Sequence, residues 1–344
     1  MAQGPEPEGP AAPGLLHHAS ATMRQIWSRR GLAAYVLWPV SVLFGSAAAV
    51  HKWAYRARLL KSKHLPVPVV VVGNVVAGGA GKTPVVMLLA GHFAAAGLRV
   101  GAVSRGYGRT PSDCREVLAD SPEREVGDEP KLIKQAAGIP VFVAPSRYDA
   151  GVALLAKYPD TQIILSDDGL QHHALQRDLE ICVFDDRGLG NGFLLPAGPL
   201  REAWPRKVDF VVHTGERVAL TGGFHAPRHL SRFAKDIHGA RIPLAELAGQ
   251  PVVAVAAIAR PELFFAMLRA QGLRLAHTLA LPDHHDFQNW KRPFGHDLRI
   301  VCTEKDAVKL WPQQPDVLAV PMALTPNPAF FAALDQAVKR LRKS

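Results

Sequence analysis

From residue 66 onward, apolar residues fall into short unbroken runs separated by longer amphipathic stretches. Val67–Val72, Arg99–Val103, Val141–Val143, Ile163–Leu165, Leu179–Phe184 and Val208–Val212 are rich in β-branched residues and lack polar alternation, the pattern of parallel strands buried on both faces. The stretches between them carry helical spacing, as at Val85, Val86, Leu88, Leu89 and Phe93, which closes at the helix-terminating Gly97. Strand–helix alternation predicts a doubly wound α/β domain over 65–225. An irregular stretch rich in His, Arg and Gly then suggests a linker or ribbon at 226–248. A second, smaller α/β domain follows over 249–344, with strands at Val252–Ala257, Leu273–Leu281, Arg299–Cys302 and Val317–Val320 and a basic helix near Phe330–Arg342. No internal repeat is present.

The N-terminal region reads differently. Residues 1–14 are Pro, Gly, Ala and Glu without period and predict disorder. Gly31–Val50 is free of charge, with Arg24, Arg29 and Arg30 before it and Lys52, Arg56, Arg58, Lys61 and Lys63 after it. Within 15–64 this predicts a membrane-anchoring helix with a basic stem, either spanning or half-inserted. The heavier cationic flank places the main body on the cytoplasmic side. A signal peptide would have a shorter apolar core, and secretion would carry an ATP site away from its nucleotide. A buried helix of a soluble core is the remaining alternative.

Composition adds little. At 344 residues and a net charge of +10, the chain has room for two domains and favours anionic partners. A nucleic-acid binder would interleave aromatic and basic residues on a platform, and none is visible. Cys114, Cys182 and Cys302 have no metal-site spacing and read as reduced thiols.

Chemistry concentrates after the first valine run. Gly73-Asn74, then Gly78-Gly79-Ala80-Gly81-Lys82-Thr83-Pro84, predicts a phosphate cradle at a helix N-terminus. Lys82 would reach the β/γ-phosphates and the Thr83 hydroxyl would hold Mg²⁺. The usual P-loop places glycine where this chain has Val76, so the loop is a variant. Asp167 and Asp168 end an apolar strand, where ligands of open α/β sheets bind and where an acid serves Mg²⁺. Asp128, in Gly127-Asp-Glu-Pro130, stands where it would cap a helix starting near Lys131. Asp283-His284-His285-Asp286 reads as a partial metal set, a hydroxyl-activating His–Asp pair, or a polar loop. Arg201 closes a stiff Pro/Gly loop and suits transferring phosphate charge, although a surface ion pair with Glu202 fits the spacing equally. Thr303-Glu-Lys-Asp306 reads as a helix cap.

Taken in order, these motifs with Ser104-Arg-Gly-Tyr-Gly108 and Leu195-Pro-Ala-Gly-Pro-Leu-Arg-Glu202 closely resemble the tetraacyldisaccharide 4'-kinases, the lipid A 4'-kinases of Gram-negative bacteria. In that family the variant P-loop is the norm. The resemblance implies a P-loop NTPase-like fold of two α/β/α domains joined by a two-stranded linker. It implies transfer of the γ-phosphate of ATP, with Mg²⁺, to the 4'-hydroxyl of an acylated glucosamine disaccharide 1-phosphate. The enzyme would act as a monomer at the cytoplasmic face of the bacterial inner membrane, without nucleic acid. The catalytic dyad implied is Asp128 with His284, His285 being the adjacent alternative. Asp167 and Asp168 would serve the metal, and Arg201 and Glu202 would line the site, Glu202 near the metal. The turn Ala257-Ile-Ala-Arg260-Pro-Glu departs from the more Gly/Asn-rich turn of the family. A membrane-associated P-loop ATPase or GTPase switch is the alternative, but a guanine-reading Asn-Lys-x-Asp is absent, Lys305 falling one place late.

Overall fold

The structure, a computed structural model, describes residues 22–23, 25–283, 285–288, 290–294 and 297–342. The predicted disorder of 1–14 and the position of His284 lie outside these residues.

Eight strands form the first sheet: β1 (Val69–Gly73), β2 (Val100–Ser104), β3 (Arg115–Glu116), β4 (Val141–Val143), β5 (Ile163–Asp167), β6 (Leu179–Phe184), β7 (Phe210–His213) and β8 (Phe224–His225). Their order is β3-β4-β2-β5-β1-β6-β7-β8, all parallel except β3. The valines of β1 are buried on both faces because helices cover both sides, which is why the run shows no alternation. Register aligns Val72 of β1 with Asp167 of β5, so the glycine loop and the acidic pair leave the sheet side by side.

The chain then makes β9 (Arg228–Leu230), β10 (Phe233–Lys235), β11 (Arg241–Pro243), β12 (Pro251–Ala256), β13 (Arg274–Ala280), β14 (Arg299–Thr303), β15 (Leu318–Val320) and β16 (Met322–Leu324). Six of these build the second sheet, in the order β11-β10-β15-β14-β12-β13. The predicted ribbon is thus divided. Only β9, paired with β16, links the two bodies as a two-stranded ribbon, whereas β10 and β11 extend the second sheet.

The expectation that 249–344 forms one body is corrected at its end. The helix Pro328–Leu341 packs Phe330, Leu334 and Val338 into the first core with Val86, Leu89 and Phe93. Phe331 stacks on His92 at 4.0 Å, and Asp335 pairs with the same imidazole at 2.7 Å. The apolar face of this helix fits the P-loop helix, so the chain crosses back after β16.

The charge-free segment forms one helix, Leu32–Arg56. Its apolar window is only 11% buried, unlike the mostly buried core helix of a soluble body. Its narrow packed face uses small residues. Ser41 Oγ donates to Leu194 O at 2.8 Å and accepts from Ala197 N at 2.9 Å. A Cβ on Gly45 would lie 2.5 Å from Leu194 Cδ1. Trp27 and Arg30 add bonds to Pro196 O and Asn191 O, both at 2.9 Å. Leu32, Val36, Leu43 and Trp53 stay exposed.

Ser41→Val strands the buried Ala197 amide, while Leu194 O keeps the bond from Gly198 N at 2.9 Å, so helix docking should weaken by about 1–3 kcal/mol. Trypsin should then cut the exposed segment 57–64 several-fold faster while the α/β body keeps its melting temperature. An unchanged cutting rate contradicts this docking mode.

Candidate active site

The glycine loop runs from β1 to the helix Lys82–Ala95, whose N-cap Gly81 holds φ 82. Gly78 is also left-handed at φ 91, a geometry that disfavours a side chain. Gly78 to Pro84 line a cleft of about 690 Å³. Gly73 and Asn74, expected to bind cofactor, shape the loop instead. A Cβ on Gly73 would meet Leu170 Cγ at 2.7 Å, and buried Asn74 donates to Val76 O at 2.6 Å.

The variant position has a physical cause. Val76 is buried and bridges Leu200, while Ala77 N donates to Pro199 O and Arg201 N to Val75 O, each at 2.7 Å. The loop is therefore extended there, pinned to the 195–201 segment, and needs no glycine.

Behind the cradle, Lys82 Nζ stands 3.6 Å from Asp168 Oδ1, and Arg201 Nη1 lies 3.1 Å from both Asp168 oxygens. Burial pushes the Asp168 carboxyl up, but Lys82 and Arg201 outweigh it and hold the group below the usual carboxylate range. Asp167 is fully buried and pushed up to about 8, by burial first and then by the charge of Glu129. Its Oδ2 accepts a long 3.5 Å bond from Thr83 Oγ1, and its Oδ1 has no partner among the described residues. Arg147, itself buried, donates to the backbone oxygens of Asp167 (3.3 Å) and Asp168 (2.7 Å), fixing the turn where Asp168 takes φ 47.

Glu202, expected near the metal, does not line the cleft. It accepts from Gln171 at 2.9 Å and pairs with Arg206 at 2.9 Å and Lys52 at 3.4 Å, so its charge is already balanced. His172 lines the cleft as a neutral ring, its pKa pushed down to about 4 by burial and then by Arg147.

The helix predicted near Lys131 starts earlier, at Asp128, and Gly127 is its N-cap. Asp128 is thus no cap. Its Oδ2 pairs at 2.6 Å with Lys309 Nζ, from the helix Glu304–Leu310 of the second body, while the next residue, Glu129, lines the cleft. Thr303 does cap its helix, accepting from Asp306 N at 3.2 Å.

Two contributors, Arg187 and Thr214, escaped the sequence reading, and a third, Arg260, stood out only as part of the divergent turn. Arg187 donates to Ala77 O (3.3 Å) and Gly79 O (3.1 Å) while paired to Asp185 at 2.9 Å. Thr214 Oγ1 donates to Ala80 O at 3.0 Å. Arg260, in the divergent turn, lines the cleft 3.9 Å from both Asp185 and Asp186. The signal for Arg187 was Asp-Asp-Arg directly after an apolar strand. Nothing local marked Thr214.

Residues 33–339 match the family model described as tetraacyldisaccharide-1-P 4'-kinase. The chain is 59% identical over 318 residues to a tetraacyldisaccharide 4'-kinase of Verminephrobacter eiseniae (strain EF01-2), covering 90% of this chain and 73% of that one. It is 56% identical over 337 residues to the enzyme of that name from Acidovorax sp. (strain JS42), covering 97% and 99%. Among solved structures, LpxK from Aquifex aeolicus in complex with ATP superposes with a TM-score of 0.78 at 28% identity, covering 90% of this chain and 99% of that one.

Gly127 holds φ 91, and a Cβ there would lie 3.0 Å from Gly106 Cα. Gly127→Ala should cost about 1–3 kcal/mol by strain and displace the start of the Asp128 helix. Chemical denaturation checks the cost, and stability equal to the parent contradicts it.

Proposed function

Because the chain belongs to the tetraacyldisaccharide-1-P 4'-kinase family and is thereby an ATP-dependent kinase, we propose that it transfers the γ-phosphate to the 4'-hydroxyl of an acylated glucosamine disaccharide 1-phosphate. The supporting observation is one cleft that combines a glycine cradle, Lys82 and Thr83 with the Asp168–Arg201 pair.

Phosphoryl transfer asks mainly for positioning and charge neutralisation. Backbone N–H groups of Gly79 to Thr83 and the positive helix end receive the β/γ-phosphates. Lys82 and Arg201 share Asp168 in the apo arrangement. When a triphosphate binds, both cations turn from that shared carboxylate toward phosphate oxygens. Arg147 and Arg187 donate to backbone carbonyls, and so keep the cradle and the acidic turn from collapsing under this charge.

Thr83 and Asp167, with Asp168, suit Mg²⁺: all are hard oxygen donors, and Asp167 carries a buried oxygen without a partner. Bound there, the ion would neutralise charge between the β- and γ-phosphates. Asp128 and His284 handle the acceptor proton in this reading. Asp128 supplies a carboxylate from the first body, and His284 would supply the imidazole from the second.

The exposed apolar helix, with basic residues at both ends, supports docking at the inner membrane with the body on its cytoplasmic side. An acyl chain resists leaving the bilayer by about 0.8 kcal/mol per buried CH₂, so the enzyme works where its acceptor lies. A nucleotide switch is less well supported. Asp306, the residue nearest a guanine reader, is fully buried, with its Oδ2 held by the Thr303 hydroxyl (2.7 Å) and the Ala257 amide (3.0 Å).

Transfer of ³²P from ATP to detergent-dispersed acceptor tests the reading. Asp128→Asn and His284→Ala should each lower kcat on the order of 10²–10⁴-fold with ATP binding retained. Lys82→Ala should lose on the order of 10²-fold or more. Undiminished turnover in both dyad variants rejects their role. Deleting residues 1–50 should move the protein from anionic phospholipid vesicles to the supernatant, whereas a truncated chain that still sediments with them assigns binding to other surfaces.

A further inference from the structure

Lys309 has an environment that its helix alone does not require. Its side chain is only 6% exposed, and a buried ammonium is costly unless its hydrogens are taken. Two acceptors engage this ammonium, and they belong to different bodies. Asp128 Oδ2 lies 2.6 Å away on the first, and His285 O lies 3.0 Å away in the 283–286 loop of the second. One turn earlier on the same face, Lys305 Nζ reaches Asp283 Oδ1 at 3.2 Å. The residues on either side of position 284 are therefore both held from one helix.

That helix is itself rigidly placed. Thr303 caps its first turn, and Asp306 accepts the Ala257 amide at 3.0 Å, fastening the helix to the turn after β12. The helix also packs directly on the Asp128–Ala137 helix. The arrangement has the form of a gauge: a fixed rod whose one ammonium grips the acid of the first body and the loop of the second together.

We propose that Lys309 is a positioning residue that sets the spacing between Asp128 and the His284-bearing loop, acting on phosphoryl transfer through them and not through nucleotide binding. The proposal rests on the reading of Asp128 and His284 as the proton-handling pair. A misplacement of about 1 Å in such a pair costs on the order of 10²-fold in rate. Lys309 is therefore a determinant of kcat, although it touches no substrate in this scheme. Arginine keeps the charge and can reach both acceptors, whereas methionine keeps the apolar stem and loses both bonds.

The test uses full-length protein, detergent-dispersed acylated disaccharide and ATP, comparing Lys309→Met, Lys309→Arg and Asp128→Asn. Lys309→Met should lower kcat on the order of 10²-fold with the KM for ATP within about twofold. Lys309→Arg should recover at least a tenfold part of that loss, and amides of residues 285–288 should exchange with solvent faster in the Met variant than in the parent. If Lys309→Met keeps the parent kcat, or loses activity through the ATP KM with no recovery by arginine, the proposal is overturned. If the Met variant does not fold, Lys309→Gln decides: lacking the ammonium, it should show reduced kcat at an unchanged ATP KM, and parental kcat overturns the proposal. Asp128→Asn separates the two levels. Should it retain turnover, the underlying pair falls. Should it lose turnover while Lys309→Met does not, only the role of Lys309 falls.

Discussion

Everything in the larger body turns on keeping a loop of backbone N–H groups open toward an anion in a cleft that is already crowded with cations. Lys82 and Arg201 face each other across Asp168, and without that carboxylate their like charges would repel within a few ångströms. Asp168 in turn occupies a left-handed conformation that Arg147 pins from below. The cradle is braced by the 195–201 segment, by Arg187 and by Thr214, all through its carbonyl oxygens or its extended edge. The first amides of a helix have no acceptor within it, so those at the mouth of Lys82–Ala95 face the cleft while the loop carbonyls are engaged elsewhere. This division of labour lets a flexible glycine sequence act as a preorganised electrostatic site.

Two further constraints serve that cradle. The chain crosses between the bodies twice, out through β9 and back through β16, and the C-terminal helix then packs onto the first core. The N-terminal helix is attached differently. Small residues at Ser41 and Gly45 let it lie close against the 194–197 turn, while its large side chains face outward. The same turn belongs to the segment that props up the phosphate loop, so the apolar surface and the anion cradle share one structural element.

Much of this was legible in the sequence where a residue type has one dominant physical use. Valine runs gave strands buried on both faces, and Gly-Lys-Thr-Pro marked the mouth of a helix. Acids at the end of β5 fell beside the cradle because adjacent parallel strands end together. What stayed hidden depended on long-range pairing. Val76 departs from the usual pattern because it bridges Leu200, more than a hundred residues away. The basic amphipathic helix at the C-terminus showed its apolar face but not which body that face would cover. Asp128 looked like a cap because a cap is the commonest local use of such an acid, and its partner Lys309 is in another body. Glu202 adjoins Arg201 in sequence yet turns its charge toward Lys52 and Arg206.

In the proposed reaction this cradle holds ATP so that its terminal phosphoryl group passes to a sugar hydroxyl of a lipid. Mass spectrometry of the acceptor after incubation with purified protein and Mg·ATP addresses it most directly. The expected product is heavier by one phosphoryl group, with fragmentation placing it on the 4'-position of the distal sugar. ATP consumed while the lipid keeps its mass, or a phosphate added at another position, would contradict it.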